Sequence, residues 1–505
     1  MATTTSLTFY SFDTLGSTSD TCAHFLREGK ASLPFAVFSQ TQTIGRGQRG
    51  KSWTSPSGNI YLSIALDHGQ DKAELAPLKA AIIVAEWIHS TLKVNVDLKW
   101  PNDIYLAGKK LAGILCETSY IKESFGPLIV GIGINVLAAP IMPEGNYSAT
   151  CFSHERDEAW HPESLARNLA DYFHSRFSSI NQAAALFTQH RLGLMDLWHQ
   201  NDRTFHLESL EESGFMTLTS VSGKHERLTC HSASDFTCAY LDPNFPLLCA
   251  DIGNSSIKIG LFHGTHLSKA LSFSLREFNQ EPNTLQQAIT SLLKEIPFNF
   301  DRWPIYVLSV NEKAQQALKT FLAAYGFTLQ LIPKKTYRVW HSNYDLTQIG
   351  IDRLATMEAW LSTLPPAKRS EQAYSIIVNL GTATTIDWLR QDGYHLGGTI
   401  LPGLDTALKS LHQATAKLPL TTWCEPPANP AIATNTEQAL LHGAAQMTLG
   451  AISQAKQTIK QLYPDYSEIS IITTGPPGQY FATKLDGHYE PFLTLKGAKI
   501  LMVGG

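Results

Sequence analysis

Apolar residues recur three and four positions apart in LKAAIIVAEWIHSTL (78–92) and ESLARNLADYFHSRF (163–177), which predicts two amphipathic helices. Around them LPFAVFSQ, NIYLSIAL and GPLIVGIGINV are rich in β-branched and aromatic residues and predict strands. The pattern changes over 191–245, where FHLESLEESGFMTLTSVSGKHERLTC alternates short apolar runs with Gly-Ser turns, as a small all-β module does. LDPNFP (241–246), with two prolines and an asparagine, predicts a turn and linker. Alternation of strand and helix then resumes: PIYVLSV, the helix NEKAQQALKTFLAAYGF, TLQLI, the hairpin YSIIVNLGTATTIDWL, the long helix EQALLHGAAQMTLGAISQAKQTIKQL and EISIITTG. The layout is α/β throughout: one domain over 1–190, a β-rich module and linker over 191–245, and a second domain over 246–505.

Length agrees with this division, since 505 residues exceed what one hydrophobic core holds. The chain is 43% hydrophobic and 17% charged, an ordinary globular balance, and its net charge of −4 offers no broad basic field to nucleic acid or anionic membrane. Seven scattered cysteines with no CxxC pair argue for a reducing compartment and against a disulfide framework or structural zinc. The first residues show no basic-then-apolar leader pattern, and the most apolar run, PLIVGIGINVLAAPIM, is too short to span a bilayer. A cytoplasmic protein is expected.

Three stretches of the first half carry candidate chemistry. GRGQRGKSW (45–53) follows a strand; its glycines let the backbone approach a ligand, and Arg46, Arg49 and Lys51 offer cations to phosphate or carboxylate oxygens. A solvated surface loop has the same composition. KWPNDIYLAGKKLAGIL (99–115) sets Lys99 before a Trp-Pro turn, then Asn102 and Asp103, with Lys110 on a hairpin. VGIGINV (130–136) is a strand interrupted by Gly131 and Gly133 and ending near Asn135.

Together GRGxRG, KWPND, GxKLAGIL and GxGIN resemble the catalytic domain of a biotin protein ligase, an α+β fold of the class II synthetase-like type, over residues of about 10–190. The resemblance implies that biotin and ATP form biotinyl-5'-AMP, and that a lysine of the biotin carboxyl carrier protein of acetyl-CoA carboxylase then accepts the biotinyl group. It implies that Ser17, Thr18, Ser19 and Gln42 hold biotin, and that Arg46, Gly47 and Gln48 lie in the loop over the intermediate. Trp53 and Asn135 would face the adenine, Lys99 and Asn102 would line the site, and Lys110 would neutralise the reacting carboxylate and phosphate. Ser19 stands where the family usually has Asn, and Gln48 where it often has Arg; the second change suggests leakage of free adenylate. Too few residues precede GSTSD for a helix-turn-helix, so no DNA binding is expected. Lipoate ligases share the fold, but the pairing of GRG with KWPND argues for biotin.

In the second half DIGNSSIK (251–258) places Asp251 at a strand end, a polar turn after it, and Lys258 reaching back; Asp251 suits Mg²⁺ held partly through water. NLGTATTID (379–387) is a second such hairpin, and QIGIDRLATMEAW between them puts Gly350, Asp352 and Arg353 at a helix start. Alone, each reads equally as a polar surface turn or a helix cap. Together with HLGGTILPG and TEQALLHG they resemble a type III pantothenate kinase over 247–503, an actin/hexokinase-like domain with two ribonuclease H-like lobes. By that resemblance Asp251, Ile252, Gly253, Asn254, Ser255, Ser256, Ile257, Lys258 and Thr382 bind ATP. Tyr344, Gly350, Ile351, Asp352, Arg353 and Thr436 bind pantothenate, with Asp352 as proton acceptor, and the pocket usually lies at a homodimer interface. Asn379 stands where the family has an aspartate for potassium or ammonium, and Pro476 where it has a Thr-Gly-Gly turn, which leaves an impaired nucleotide-binding or dimerisation module as the alternative.

Overall fold

The computed structural model describes residues 6–48, 51–67, 75–121, 124–141, 148–155, 160–180, 182–190, 197–200, 203–211, 215–220, 227–230, 237–238, 246–264, 266–280, 282–293, 303–323, 327–339, 341–365, 369–426 and 432–503. Arg49 and most of the linker, 241–245, lie outside these. The chain divides into two compact units, Met1–Phe245 and Pro246–Val503.

In the first unit, period-two alternation builds a seven-stranded sheet: β1 (Thr8–Leu15), β2 (Phe35–Gln42), β3 (Ile60–Leu66), β4 (Asp97–Lys99), β5 (Asp103–Leu106), β6 (Lys109–Ile121) and β7 (Ser124–Ile134), in the order β1-β2-β3-β7-β6-β5-β4. Only β1 and β2 pair in parallel. One face carries Ala112, Ile114, Val130, Ile132 and Ile134, all buried, and the helices Ala76–Leu92 and Pro162–Phe177 pack on this sheet. Both helices open with proline in the first turn, where its missing N–H costs nothing. The helix Thr18–Arg27 covers part of the opposite face, where Cys22 packs among Phe35, Val37, Ala65 and Ile129.

Within 197–238, five short antiparallel strands, β8 (Leu197–Gln200), β9 (Arg203–Leu210), β10 (Met216–Ser220), β11 (Arg227–Cys230) and β12 (Thr237–Cys238), form a separate sheet ordered β11-β10-β9-β8-β12 around buried Trp198, Phe205 and Leu218.

The second unit repeats one topology. β13 (Pro246–Ile252), β14 (Ser256–His263), β15 (His266–Ser274), β16 (Trp303–Ser309) and β17 (Phe327–Leu331) are ordered β15-β14-β13-β16-β17. β18 (His341–Ser342), β19 (Ala373–Leu380), β20 (Ala383–Arg390), β21 (Tyr394–Pro402), β22 (Glu468–Thr474) and β23 (His488–Tyr489) follow as β18-β21-β20-β19-β22-β23. In each sheet the first three of the five shared strands are antiparallel and the last two join the first in parallel. The helices Ile351–Thr363 and Leu493–Val503 pack closely on each other between the sheets; a Cβ on Gly497 would collide with the Ala355 carbonyl. No helix among the described residues is long and apolar enough to cross a membrane.

Candidate active sites

Strand register decides which side chains of the first unit share a face. Gly113 lies opposite Gly133, and Leu115 and Ser63 both lie opposite Gly131, so the small residues of three strands make one platform. Lys110 has the parity of Ala112 and Ile114, and in a regular strand it would point into the core. A bulge prevents this. Tyr105 pairs with Lys110 while Ile104 pairs with Ala112, leaving Leu111 as the extra residue and turning Lys110 onto the glycine face. Its Nζ lies 2.6 Å from Asp103 Oδ1 and 5.5 Å from the centre of the Trp53 ring.

Trp53 rests flat on the paired glycines. A Cβ on Gly133 would come within 2.7 Å of the indole, and one on Gly113 within 2.8 Å. On either side of 49–50, the Gly47 N–H donates to the Lys51 carbonyl (2.7 Å) and the Trp53 N–H to the Gly45 carbonyl (2.8 Å). Arg46 is held by two carboxylates, Asp20 at 2.8 Å and Glu117 at 2.7 Å, and Gln48 is exposed at the tip.

The GSTSD segment joins Gln42 through hydroxyls. Ser17 caps the helix by accepting from the Asp20 N–H. The Thr18 N–H and hydroxyl donate to Gln42 Oε1 at 2.8 and 3.1 Å, and Ser63 Oγ lies 2.8 Å from Thr18 Oγ1 and 2.9 Å from Ser19 Oγ. Gln42 Nε2 donates to Ser55 Oγ at 3.2 Å, and Ser55 donates to the Trp53 carbonyl at 3.1 Å. Asn102 turns inward: its side-chain amide donates to the Ile114 carbonyl and its backbone carbonyl accepts from Ile114 N, holding the start of β5 to β6. Lys99 sits over the Tyr105 ring at 5.9 Å. Asn135, 1% exposed, donates to the Thr150 carbonyl at 2.9 Å, while its Oδ1 is buried with no partner among the described residues. Such an orphaned acceptor suits a ligand donor.

In the second unit the two hairpin turns meet: Ser255 Oγ and Thr382 Oγ1 are 2.5 Å apart. Gly253 N donates to the Ser256 carbonyl, closing the turn that carries Ile252, Asn254 and Ile257. Lys258 lies across from Asp251 and bonds its Oδ2 at 3.1 Å. The Thr382 carbonyl accepts from Gly403 N at 3.0 Å and from the Thr406 hydroxyl at 2.7 Å, tying the second turn to the start of the helix Leu404–Ala414. Asp352 stands in the first turn of Ile351–Thr363, capped by Gly350; burial, aided by the charge of Asp251, holds its carboxyl above the usual aspartate range. Thr436 is exposed at the start of Thr436–Leu462, behind the Asn435 cap. Asn379 pairs across β19 with Thr385 and Thr474.

Arg353 is buried and forked onto Asp387, with Nη2 2.5 Å from Oδ1 and Nε 3.1 Å from Oδ2. Asp387 also meets His395 Nε2 at 3.0 Å, and His395 Nδ1 meets Ser342 Oγ at 2.7 Å, which in turn accepts from the Tyr344 N–H at 2.9 Å. An N–H on Nε2 toward the carboxylate leaves Nδ1 to accept from Ser342. The chain thus links Arg353 to Tyr344, whose ring centre lies 5.9 Å from the guanidinium carbon. Sequence reasoning assigned no role to Asp387 or His395, although both lie inside the quoted motifs, nor to Ser63, a small hydroxyl in the largely apolar run NIYLSIAL.

Comparison with known proteins divides the chain the same way. Residues 12–135 match the model of the biotin/lipoate A/B protein ligase family, and residues 247–458 that of type III pantothenate kinase. The bifunctional ligase/repressor BirA of Bacillus subtilis is 38% identical over 131 residues, 25% of this chain and 40% of that protein, so the chain spans well under half of that relative. A type III pantothenate kinase of Christiangramia forsetii is 30% identical over 240 residues, 47% of this chain and 89% of that protein. The biotin protein ligase from Aquifex aeolicus in complex with biotin and ATP aligns at TM-score 0.38 and 24% identity, over 46% of this chain and 97% of that one. Both families consist of enzymes, and through its second unit the chain belongs to the type III pantothenate kinase family, with a stretch similar to the biotin/lipoate A/B protein ligase family ahead of it on the same polypeptide.

Proposed function

We propose that this chain is a bifunctional enzyme: a biotin protein ligase over 1–190, a β-rich module over 191–245 and a type III pantothenate kinase over 246–505. The observation that carries the reading is that motif residues meet within each unit, Lys110 with Trp53 and Thr18 with Gln42 in the first, Ser255 with Thr382 in the second.

In the ligase two anions must meet, biotin carboxylate and the α-phosphate of ATP. Fixed cations and amide donors serve this better than a general base. Lys110, brought out by the bulge, offsets their charge; Arg46 exchanges its carboxylate partners for phosphate; the unpartnered Asn135 Oδ1 accepts from the adenine amino group beside Trp53. Ser17, Thr18, Ser19 and Gln42 hold biotin. The acceptor is a lysine of the biotin carboxyl carrier protein of acetyl-CoA carboxylase.

In the kinase, an actin/hexokinase-like arrangement of two ribonuclease H-like lobes grips ATP between the Ser255 and Thr382 turns. Asp352, its basicity raised by burial, takes the proton of the pantothenate hydroxyl as that oxygen attacks the γ-phosphorus. Asp387 aims Arg353 toward the pantothenate end. Asp251, whose Oδ2 is held by Lys258, would supply an oxygen donor to Mg²⁺, which offsets phosphate charge when bound. Asn379 supplies an amide oxygen without charge, so potassium or ammonium binds weakly there or is dispensable. The kinase half forms a homodimer, and the enzyme works in the cytoplasm; Cys22, Cys116, Cys151, Cys249 and Cys424 are free thiols.

The full chain, given ATP with biotin and a carrier domain, and separately ATP with pantothenate, is expected to yield biotinylated carrier and 4'-phosphopantothenate. Failure of either product under titrated magnesium and potassium removes that half of the reading.

A further inference from the structure

The hydroxyl chain behind the biotin segment has a direction, and that direction follows from counting protons. The Thr18 backbone N–H points at the Gln42 side chain at 2.8 Å, so the atom it meets is the amide oxygen, not the NH₂. That oxygen has no proton to give. The Thr18 hydroxyl, 3.1 Å from it, must therefore donate, because two bare oxygens at that distance repel. A hydroxyl has one proton, and that of Thr18 is now spent. At the 2.8 Å contact the donor is then Ser63, and at the 2.9 Å contact the donor is Ser19. All three protons run inward, from Ser19 through Ser63 and Thr18 to Gln42.

We propose that Ser63, 0% exposed in the middle of β3, is a positioning residue that fixes this polarity and leaves the Ser19 oxygen as an acceptor only. The Ser19 side of the pocket then selects a ligand group carrying an N–H, which a ureido ring supplies and a carboxylate, ester or alkyl chain does not. The proposal deepens the biotin ligase reading and rests on it. It also accounts for a serine where the related ligases carry a longer amide. An asparagine side chain presents donors and an acceptor together, whereas Ser19, with its proton committed to Ser63, presents lone pairs alone. Gly131 beneath leaves room for this geometry, since a Cβ there would come within 2.7 Å of Ser19 Oγ.

The test uses the full chain and three ligands, biotin and two isosteres in each of which one ureido N–H is replaced by a ring oxygen. The unsubstituted chain is expected to prefer biotin over one of the two isosteres by about 100-fold or more in kcat/KM, as sites built around a ligand hydrogen bond do. In Ser63→Ala the Ser19 proton is released to point outward. The preference is expected to fall to within about tenfold, through a higher KM for biotin with kcat nearly kept, the mark of lost ground-state binding. Ser63→Thr, which keeps the hydroxyl, is expected to restore most of the preference, and thermal unfolding of each variant checks the fold. A Ser63→Ala chain that is folded and retains full preference overturns the relay while leaving the ligase reading intact. An unsubstituted chain that binds no biotin overturns both.

Discussion

In the first unit Lys110, Trp53 and Ser63 stand on one face of a single sheet, whereas in the second Ser255 and Thr382 come from turns of two different sheets. The cations differ correspondingly. Arg46 is half exposed and shared by two surface carboxylates; Arg353 is buried and locked in a fork onto Asp387. A one-sheet site needs only correct register and a bulge, and it can leave its charges near water. In the two-sheet site the turns are exposed but Arg353 is buried, and a buried charge must be paired to be tolerated.

The comparison breaks most visibly at Asp352. Asp352→Asn is expected to cut pantothenate phosphorylation about 1,000-fold, the scale of a lost general base, with biotinylation by the same preparation as the control. Folding raises this carboxyl above the aspartate value of 3.8, so its charged form costs stability once pH exceeds that value. The asparagine variant should therefore melt no lower than the parent at pH 7, with any advantage shrinking as pH falls toward 3.8 and gone below it. A lower melting temperature at pH 7 would contradict the burial argument.

Asp387→Ala strands a buried guanidinium and is expected to destabilise the second unit by about 3–5 kcal/mol, read from the urea midpoint. An unchanged midpoint would show that Arg353 has another partner. Lys110→Gln is expected to lower adenylate formation about 100-fold, followed by biotin-dependent pyrophosphate release, with the carrier-free fold unaffected. The smallest effect belongs to the exposed pair: Glu117→Ala should change stability by less than about 1 kcal/mol, since surface ion pairs are worth little. If Glu117→Ala cost as much as Asp387→Ala, the contrast between the sites would disappear.

Much of this was legible beforehand. The helical spacing of 78–92 and 163–177 reappears as Ala76–Leu92 and Pro162–Phe177, each extended backward to a proline that a periodicity search ignores. The hairpin in YSIIVNLGTATTIDWL and the strand after the long helix stand where the alternation put them. The bulge at Leu111 was not legible, because KKLAGIL reads as an ordinary strand whichever way Lys110 points. Nor was the link from Arg353 through Asp387 and His395 to Ser342, whose members are far apart in sequence and meet only when β20, β21 and a helix end converge.

By itself the sequence determined the elements, the two motif sets and the family of the second unit, since periodicity and local spacing are properties of neighbouring residues. Only the tertiary structure decided which way Lys110 faces, which carboxylate holds Arg353 and which hydroxyl orients Ser19. Those depend on register and on contacts between distant segments, where a shift of one residue turns a side chain from core to ligand.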